Sequence, residues 1–341
     1  MGRKKKISRI DYCQFLYATQ TNYTQTYFAE HLEEVSHDAI NRYLLHDKLA
    51  PKLVWEHTKE EIILSPNGAI LFDDTVLDKN SSQNIELAKW QYSGAAGGVI
   101  KGIGVVTCIY FNPDCHKFWA IDYRIYSPDH DGKSKIDHLL EMFKNAIYAK
   151  KLDFKYVLMD SWYSSHKVML SVNDEEKIFY CPLKSNRLVS AVDKKYFHEP
   201  VSGLIWTKEE LHEGKRIHIN KFPNSYYVKL FRIAVNNHRT ELIVTNDLTQ
   251  SAAENVQKVC GFRWKIEQFH REIKQLTGIE LCQCRKQRIQ RNHIACSILV
   301  WVKLKNIAYK TGQSIYQMKE NLLRNYMIEQ LKSCKTRDVF A

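Results

Sequence analysis

The sequence predicts an α/β protein, because segments with the two-residue period of strands alternate with segments that have helical spacing. Strand-like segments occupy residues 69–126, a short strand follows an amphipathic helix near residue 154, and strand character returns over residues 178–247. The chain has 341 residues, of which 44% are hydrophobic and 26% charged, as expected for a soluble globular protein with two or three domains.

The charge balance favours a polyanionic partner. The chain has 50 lysines and arginines, 38 acidic residues and a formal net charge of +12, which fits nucleic acid better than an acidic small molecule. No apolar run of eighteen residues and no signal peptide follow the basic start MGRKKK, so we expect a cytoplasmic protein without membrane contact. The nine scattered cysteines predict reduced thiols.

The N-terminal region, residues 1–65, is predicted to be helical. The segment TYFAEHLEEVSHDAINRYLL indicates two helices joined by a tight turn, with Ser36 as the N-cap of the second. This outline fits a DNA-binding helix-turn-helix and a plain helical hairpin equally well. Turn signals around Pro51 and LSPNGA mark its end.

Residues 66–177 contain three predicted strands, AILFDD, VIKGIGVVTCIYF and KFWAIDYRIY, whose succession suggests antiparallel pairing. The helix SKIDHLLEMFKNAIYAKKL follows, and then the short buried strand FKYVLMD, which ends on Asp160. Two acidic positions therefore lie at strand ends: the Asp73–Asp74 pair and Asp160.

The rest of the chain is a β-rich insertion over residues 178–250, a helical part over 251–310 and a helical tail over 311–341. One long helix is predicted after the insertion, with Ser251 and Glu254 as a capping box and Gly278 as its end.

This long helix carries an acid among bases. At about 100° per residue, Arg263, Glu267 and Lys274 fall on one stripe, together with His270 and Arg271. Glu272 falls away from that stripe and is predicted to be a solvent charge. A separate apolar stripe consists of Phe262, Ile266, Phe269, Ile273 and Leu276. Taken alone, the pattern also fits an ordinary amphipathic helix with i,i+4 ion pairs.

Asp74, Asp160 and Glu267 together supply hard oxygen ligands from separate elements, as two magnesium ions require. Two such ions catalyse phosphoryl transfer without a covalent enzyme intermediate. A zinc site of Cys282, Cys284, His293 and Cys296 is the less favoured alternative, because CxC is not the usual spacing and the last two residues lie in an apolar helical stretch.

The chain resembles the DDE transposases of bacterial insertion sequences, in the insertion-sequence-four superfamily and its near relatives. The resemblance covers roughly residues 65–310 and rests on DDTVLDK, VLMDSWY and CGFRWKIEQFHREIK. The family signature Tyr-x2-Arg-x3-Glu-x6-Lys is matched in register by Arg263, Glu267 and Lys274. Cys260 stands at the tyrosine position and lacks the hydroxyl that would contact the DNA backbone.

The resemblance implies an RNase H-like catalytic core with a β-rich insertion domain, a helical N-terminal DNA-binding region and a catalytic triad of Asp74, Asp160 and Glu267 that holds two Mg2+ ions. Mn2+ suits the same oxygen ligands. Asp74 is chosen over Asp73 because it directly precedes Thr75, as in the family pattern, although a one-residue shift in strand register would exchange their faces. Arg263 and Lys274 are expected to bind DNA phosphates.

The implied partners are double-stranded DNA, as terminal inverted repeats and as target, and a second copy of the chain in a synaptic complex in the bacterial cytoplasm. A flipped base would need an exposed ring, for which Trp162, Trp206 and Trp264 are candidates. Trp90, Trp119 and Trp301 are predicted to be buried. Two other functions remain open: a nuclease or resolvase that cuts without joining, and an inactive or domesticated DNA-binding protein.

Overall fold

The structure is a computed structural model that describes residues 6–32, 35–82, 84–192, 197–236 and 239–332. The chain divides into two compact units. The helical unit comprises residues 1–61, 75–105 and 268–341, and the sheet unit comprises residues 62–74 and 106–267. Among the described residues, no helix is both long enough and apolar enough to cross a membrane.

The helical unit is built around one long central helix. Its helices are α1 (Arg9–Ala18), α2 (Gln25–Glu30), α3 (His37–His46), α4 (Lys52–Thr58), most of α10 (Trp264–Thr277), α11 (Gln287–Thr311) and α12 (Ile315–Lys332). Helix α11 is buried along most of its length and contacts α1, α3 and α4. The hydroxyl of Ser36 accepts a hydrogen bond from the Ala39 amide, which confirms the predicted N-cap.

The sheet unit contains nearly all of the strands. They are β1 (Ala69–Asp78) and β3 (Gly98–Asn112), which both continue into the helical unit, followed by β4 (Lys117–Ile125), β5 (Tyr156–Leu158), β6 (Ile178–Pro182), β7 (Leu188–Ala191), β8 (Glu199–Pro200), β9 (Lys215–Ile219), β10 (Val228–Asn236) and β11 (Arg239–Thr245). Its helices are α5 (Pro128–Asp131), α6 (Lys135–Lys144), α7 (His166–Asp174), α8 (Lys208–Glu213), α9 (Ala253–Cys260) and the first turn of α10.

These strands form one mixed sheet in the order β3-β1-β5-β6-β11-β10-β9-β7-β8, with β4 paired to β3. Strands β1, β5 and β6 are parallel, whereas β6, β11, β10, β9, β7 and β8 pair antiparallel in succession. The strands of the predicted insertion thus continue the sheet from β6. Strand β5 pairs in parallel with the first part of β1, so the middle of β1, which carries Asp73 and Asp74, lies near the end of β5, and Asp160 follows that end.

The helix predicted over residues 251–278 is interrupted. Helix α9 ends at Cys260, a 3-10 turn occupies Gly261–Arg263, and α10 begins at Trp264. Glycine weakens a helix interior, and Phe262 packs on Phe111 with 4.8 Å between ring centroids. The predicted capping box is wrong, because α9 begins after Ala252 without a side-chain cap. The predicted end is confirmed by Gly278, whose φ of +64° suits a helix terminus.

Three further predictions from the sequence concern the helical unit. Strand β2 (Lys89–Ser93) was not predicted, and Trp90 on it is 70% exposed rather than buried; Trp301 is buried as predicted. Glu272 is not a solvent charge, because it is 1% exposed and pairs with Lys305. A helical wheel places residues around one axis but does not show how many sides of the helix are covered.

The four candidate zinc ligands also lie in the helical unit. The His293 ring is hydrogen-bonded at both nitrogens, with Nδ1 2.8 Å from the Tyr12 hydroxyl and Nε2 3.1 Å from the Gly278 carbonyl oxygen. Its burial lowers the pKa of His293 to about 4. These contacts give the ring a role in packing α11 against α1, and among the described residues no group of three His, Cys, Asp or Glu side chains could hold a metal ion there.

Candidate active site

Strand register brings Asp73 and Asp160 to the same level of the sheet. Leu71 on β1 pairs in parallel with Leu158 on β5, and each aspartate lies two residues beyond its paired leucine. Because side chains alternate along a strand, Asp73 and Asp74 project on opposite faces of β1, whereas Asp160 follows the last residue of β5. The sheet unit therefore places acids on both faces of β1 and just beyond the end of β5.

Asp160 is held by the backbone that follows it. Its Oδ1 accepts hydrogen bonds from the amides of Trp162 at 2.9 Å and Tyr163 at 3.1 Å. Burial raises the pKa of Asp160, and the charge of Asp74 adds to that rise, whereas the amide bonds and the charge of Arg263 oppose it. The carboxylate is thus oriented on one oxygen and close to a second acid and a base.

Asp73 lies within the same group of charges. Its Oδ1 accepts a hydrogen bond from the Asp74 amide at 2.8 Å, and the Thr107 hydroxyl donates to its carbonyl oxygen at 3.0 Å. Burial, followed by the negative charges of Asp160 and Asp74, raises the pKa of Asp73 to about 8. Asp73 is therefore a half-buried acid within reach of the charges of Asp74, Asp160 and Arg263.

Asp74 is bound on both oxygens. The Lys135 ammonium lies 2.6 Å from Oδ2, and the Tyr163 hydroxyl donates to Oδ1 at 2.7 Å. Lys135 begins α6, which is fixed by the capping box of Ser134 and Asp137. The sequence analysis missed both partners: Tyr163 had a signal, since it lies in VLMDSWY, whereas Lys135 was one lysine among many.

The residues that match the family signature are divided between the two units: Arg263 and Glu267 lie in the sheet unit, and Lys274 lies in the helical unit. In the sheet unit, Arg263 Nη1 lies 3.6 Å from Glu241 Oε2, and its charge lowers the pKa of Asp73 and of Asp160. Glu267 is exposed and lines a cavity of about 320 Å³ together with Arg263, Glu241 and Cys260. Burial raises the pKa of the Cys260 thiol to about 12, so the residue at the tyrosine position stays neutral.

Lys274 belongs to the helical unit. Its ammonium donates to the Val76 carbonyl at 2.9 Å and lies 2.7 Å from Glu280 Oε1. The structure thus groups Asp73, Asp74, Asp160 and Arg263 in the sheet unit and places Glu267 on the Arg263 cavity. Across the described ranges, no three His, Cys, Asp or Glu side chains are arranged as a ready metal-ion site.

The raised pKa of Asp73 makes stability depend on pH in a definite direction. Because the folded chain retains a proton that the unfolded chain releases between about pH 4 and pH 8, stability should fall as pH rises through this window. We expect Asp73→Asn to lose less thermal stability than the wild type between about pH 5 and pH 8 in EDTA. Equal losses in melting temperature would show that Asp73 is already ionised in the folded chain.

Comparison with known proteins gives one family match and one solved structure with a TM-score above 0.5. The family model described as "Transposase DDE domain" matches residues 65–303. A cryo-EM structure of the piggyBac transposase synaptic complex with hairpin DNA is similar with a TM-score of 0.51 and 10% identity, over 99% of this chain and 76% of that chain. At that identity the likeness bears on the fold alone, and it confirms the predicted α/β class of RNase H-like type.

Two other solved structures are similar at a lower level. Endonuclease V of Ciona intestinalis, in complex with a DNA containing inosine and a ribo-adenosine, has a TM-score of 0.29 and 10% identity over 64% of this chain and 93% of that chain. A pre-cleavage Mos1 transpososome has a TM-score of 0.19 and 14% identity over 52% of this chain and 59% of that chain. A search of curated proteins finds no match.

The family match spans well over half of the sequence, from just before β1 to within α11, and includes every acid discussed above. The chain therefore belongs to the family of proteins with a transposase DDE domain.

Proposed function

We propose that this chain is a DNA transposase that binds the terminal inverted repeats of its own element, cleaves there by two-metal-ion phosphodiester hydrolysis and joins the 3′-hydroxyl ends to target DNA. The observation that carries the proposal is the group of half-buried acids in the middle of β1 and just after β5, within reach of the Arg263 charge, in a chain of this family. Crowded carboxylates are costly to retain unless a cation or proton relieves their repulsion.

The donor chemistry of these residues fits a hard divalent cation. Asp160 keeps Oδ2 free of the backbone bonds that its Oδ1 accepts, and burial, followed by the negative charges of Asp160 and Asp74, raises the pKa of Asp73. We propose Asp74, Asp160 and Glu267 as the residues that hold two Mg2+ ions, for which Mn2+ is a suitable substitute. Bound there, the ions would activate a hydroxyl nucleophile and stabilise the leaving oxygen.

The remaining residues of the site bind and orient. Lys135 neutralises Asp74 and Tyr163 fixes its direction, so they hold this carboxylate in place. Arg263, whose charge acts on Asp73 and Asp160, is proposed to contact a phosphate next to the cut bond. Lys274 is proposed to contact another phosphate as a point charge. The formal net charge of the chain, +12, also supports DNA as the partner.

A dimer follows from the proposed reaction, because two ends must be held together for concerted joining. The strand-rich residues 178–250 are proposed as the insertion that precedes the glutamate helix, which their place in the sheet after β6 supports. The presence of all three acids and of Arg263 and Lys274 argues against an inactive DNA-binding protein, whose acids would be free to change.

The proposed function is tested by cleavage and joining together. Labelled duplex DNA that contains the sequences flanking the gene is incubated with the chain, Mg2+ and a supercoiled target plasmid. We expect cuts at the repeat ends and transfer of the label to the plasmid. Cuts without transfer would identify a nuclease or resolvase of the same fold, and binding without cuts would identify a DNA-binding protein.

A further inference from the structure

Both oxygens of the Asp74 carboxylate have partners from the sheet unit. The Lys135 ammonium lies 2.6 Å from Oδ2, and the Tyr163 hydroxyl donates to Oδ1 at 2.7 Å. The side chains of Lys135 and Asp74 are 11% and 17% exposed, so solvent screens this ion pair only weakly. A divalent cation that binds Asp74 must therefore share the carboxylate with these two partners or displace one of them.

Tyr163 is able to stay when a cation binds. Its hydroxyl is neutral and donates one hydrogen bond, and a carboxylate oxygen has lone pairs for a second partner. The Tyr163 ring is fully buried and meets the Trp162 ring edge-on, with 4.8 Å between the ring centroids. Packing therefore fixes this hydroxyl beside Asp74, and a cation does not repel it.

Lys135 is the partner that must leave. Its ammonium carries the same sign of charge as a metal ion, so the two repel each other strongly at one half-buried carboxylate. The Lys135 side chain is a flexible four-carbon stem, and two aromatic rings lie near its end. The distance from Nζ to the ring centroid is 5.4 Å for Tyr126 and 5.7 Å for Trp162. Because ring faces attract cations at such distances, the ammonium can move away from Asp74 and still be stabilised.

Lys135 also offsets the charge of the whole acidic group. The negative charge of Asp74 adds to the rise in the pKa of both Asp73 and Asp160, so the three carboxylates act on one another. The ammonium on Asp74 reduces the negative potential of this group and with it the attraction for a further cation. Loss of the ammonium should therefore make the group a stronger cation ligand.

We propose that Lys135 competes with the divalent cation for Asp74. The ammonium holds the carboxylate in position, lowers the affinity of the site for the ion and leaves the carboxylate when the ion binds. The inference rests on the proposed function and deepens it, since it names a residue that regulates metal loading of the same site. A purely structural Lys135 would have the opposite effect, because a ligand that loses its support binds a metal less tightly. The sign of the change in metal affinity distinguishes the two roles.

The test measures the binding of Mn2+ alone, without DNA, from the EPR signal of the free ion. We expect Lys135→Met to bind Mn2+ roughly tenfold more tightly than the wild type, because a hydrogen bond between charged groups contributes about that much. Mn2+ should also raise the melting temperature of Lys135→Met more than that of the wild type. Lys135→Gln keeps a hydrogen-bond donor without the charge, so it should change in the same direction and serves if Lys135→Met does not fold.

The matched control is Lys133→Met, which removes the same charge two residues away. Lys133 pairs with Glu141 at 2.5 Å, and their side chains are 42% and 41% exposed, so Mn2+ affinity should stay within about twofold of the wild type. A double variant tests whether the effect passes through Asp74. Lys135→Met combined with Asp74→Asn should bind Mn2+ no more tightly than Asp74→Asn alone. Melting temperatures in EDTA confirm that the variants fold.

Unchanged or weaker Mn2+ binding by Lys135→Met would overturn the proposal. A gain that persists without the Asp74 carboxylate, or that Lys133→Met shows equally, would overturn it as well. The two proposals fail separately. If the wild type cuts and joins DNA but Lys135→Met binds Mn2+ no more tightly, only the competition is wrong. If the wild type never cuts while Lys135→Met gains Mn2+ affinity through Asp74, the competition stands and the transposase mechanism falls.

Discussion

Replacement of Asp160 by asparagine is expected to slow DNA cleavage by roughly 1,000-fold, because a metal-bound charge stabilises the transition state by several kcal/mol and each 1.36 kcal/mol is a factor of ten. DNA affinity should change by less than about twofold, since a lost carboxylate removes no phosphate contact. Asparagine keeps the Oδ1 that accepts the amides of Trp162 and Tyr163, so the local backbone is preserved. Single-turnover cleavage with Mg2+ and anisotropy in EDTA measure the two effects.

The matched control is Asp122→Asn. Asp122 is a buried aspartate of the same unit, but it pairs with Lys150 at 2.8 Å and with Arg124. This change should lower the melting temperature and leave the cleavage rate of the folded fraction near that of the wild type. A cleavage rate for Asp160→Asn within about tenfold of the wild-type rate would remove Asp160 from the metal ligands.

The same assay separates Asp74 from Asp73. The family pattern selects Asp74, whereas the strand register places Asp73 level with Asp160. If Asp74 is the ligand, Asp74→Asn should slow cleavage as much as Asp160→Asn does. Asp73→Asn should then slow cleavage only roughly 10- to 100-fold, because Asp73 would orient a metal ligand without binding the metal itself. The reverse order of effects would assign the first metal ligand to Asp73. Glu267→Gln should match Asp160→Asn if the cavity of Arg263 belongs to the same site.

Local patterns in the sequence were enough to predict the elements that carry these acids. The strands predicted as AILFDD, VIKGIGVVTCIYF and KFWAIDYRIY, the N-cap at Ser36 and the helix end at Gly278 all depend on residues close together in the chain, although β1 continues four residues beyond its predicted end at Asp74. Contacts between distant residues were not predictable in this way. Lys135 reaches Asp74 across 61 positions and Glu272 reaches Lys305 across 33, and neither spacing leaves a periodic signal in one sequence.

The broken helix shows a second limit. A helical wheel drawn through Arg263 and Glu267 assumes one axis, but the 3-10 turn at Gly261–Arg263 puts the arginine just outside α10. The wheel still placed Ile266, Phe269, Ile273 and Leu276 correctly on a buried face, because they lie within one uninterrupted helix. It misplaced Glu272, since α11 also covers the side of α10 next to the apolar stripe, through Trp301 and Lys305.

This misplaced acid gives the largest expected change in stability. Lys305→Met should lower the free energy of unfolding by about 3–5 kcal/mol, because it leaves the buried Glu272 carboxylate without its cation. The Lys305 ammonium lies 3.0 and 3.1 Å from the two oxygens of Glu272, and the Trp301 indole N–H donates to the same carboxylate at 2.9 Å. The side chains of Glu272 and Lys305 are 1% and 8% exposed, so water cannot replace the missing charge. Urea unfolding at neutral pH measures the loss.

The control is Lys286→Met in the same unit, where Lys286 pairs with Glu86 at 2.8 Å but both side chains are largely exposed. An exposed pair contributes about 0–1 kcal/mol, so this change should be small. The double variant Glu272→Gln with Lys305→Met should recover much of the loss, because glutamine still accepts the Trp301 N–H and no buried charge remains unpaired. If Lys305→Met lowers the free energy of unfolding no more than Lys286→Met does, the buried pair does not hold α10 against α11. Apolar contacts must then do so, such as that of Phe269 with Trp301, whose ring centroids are 4.6 Å apart.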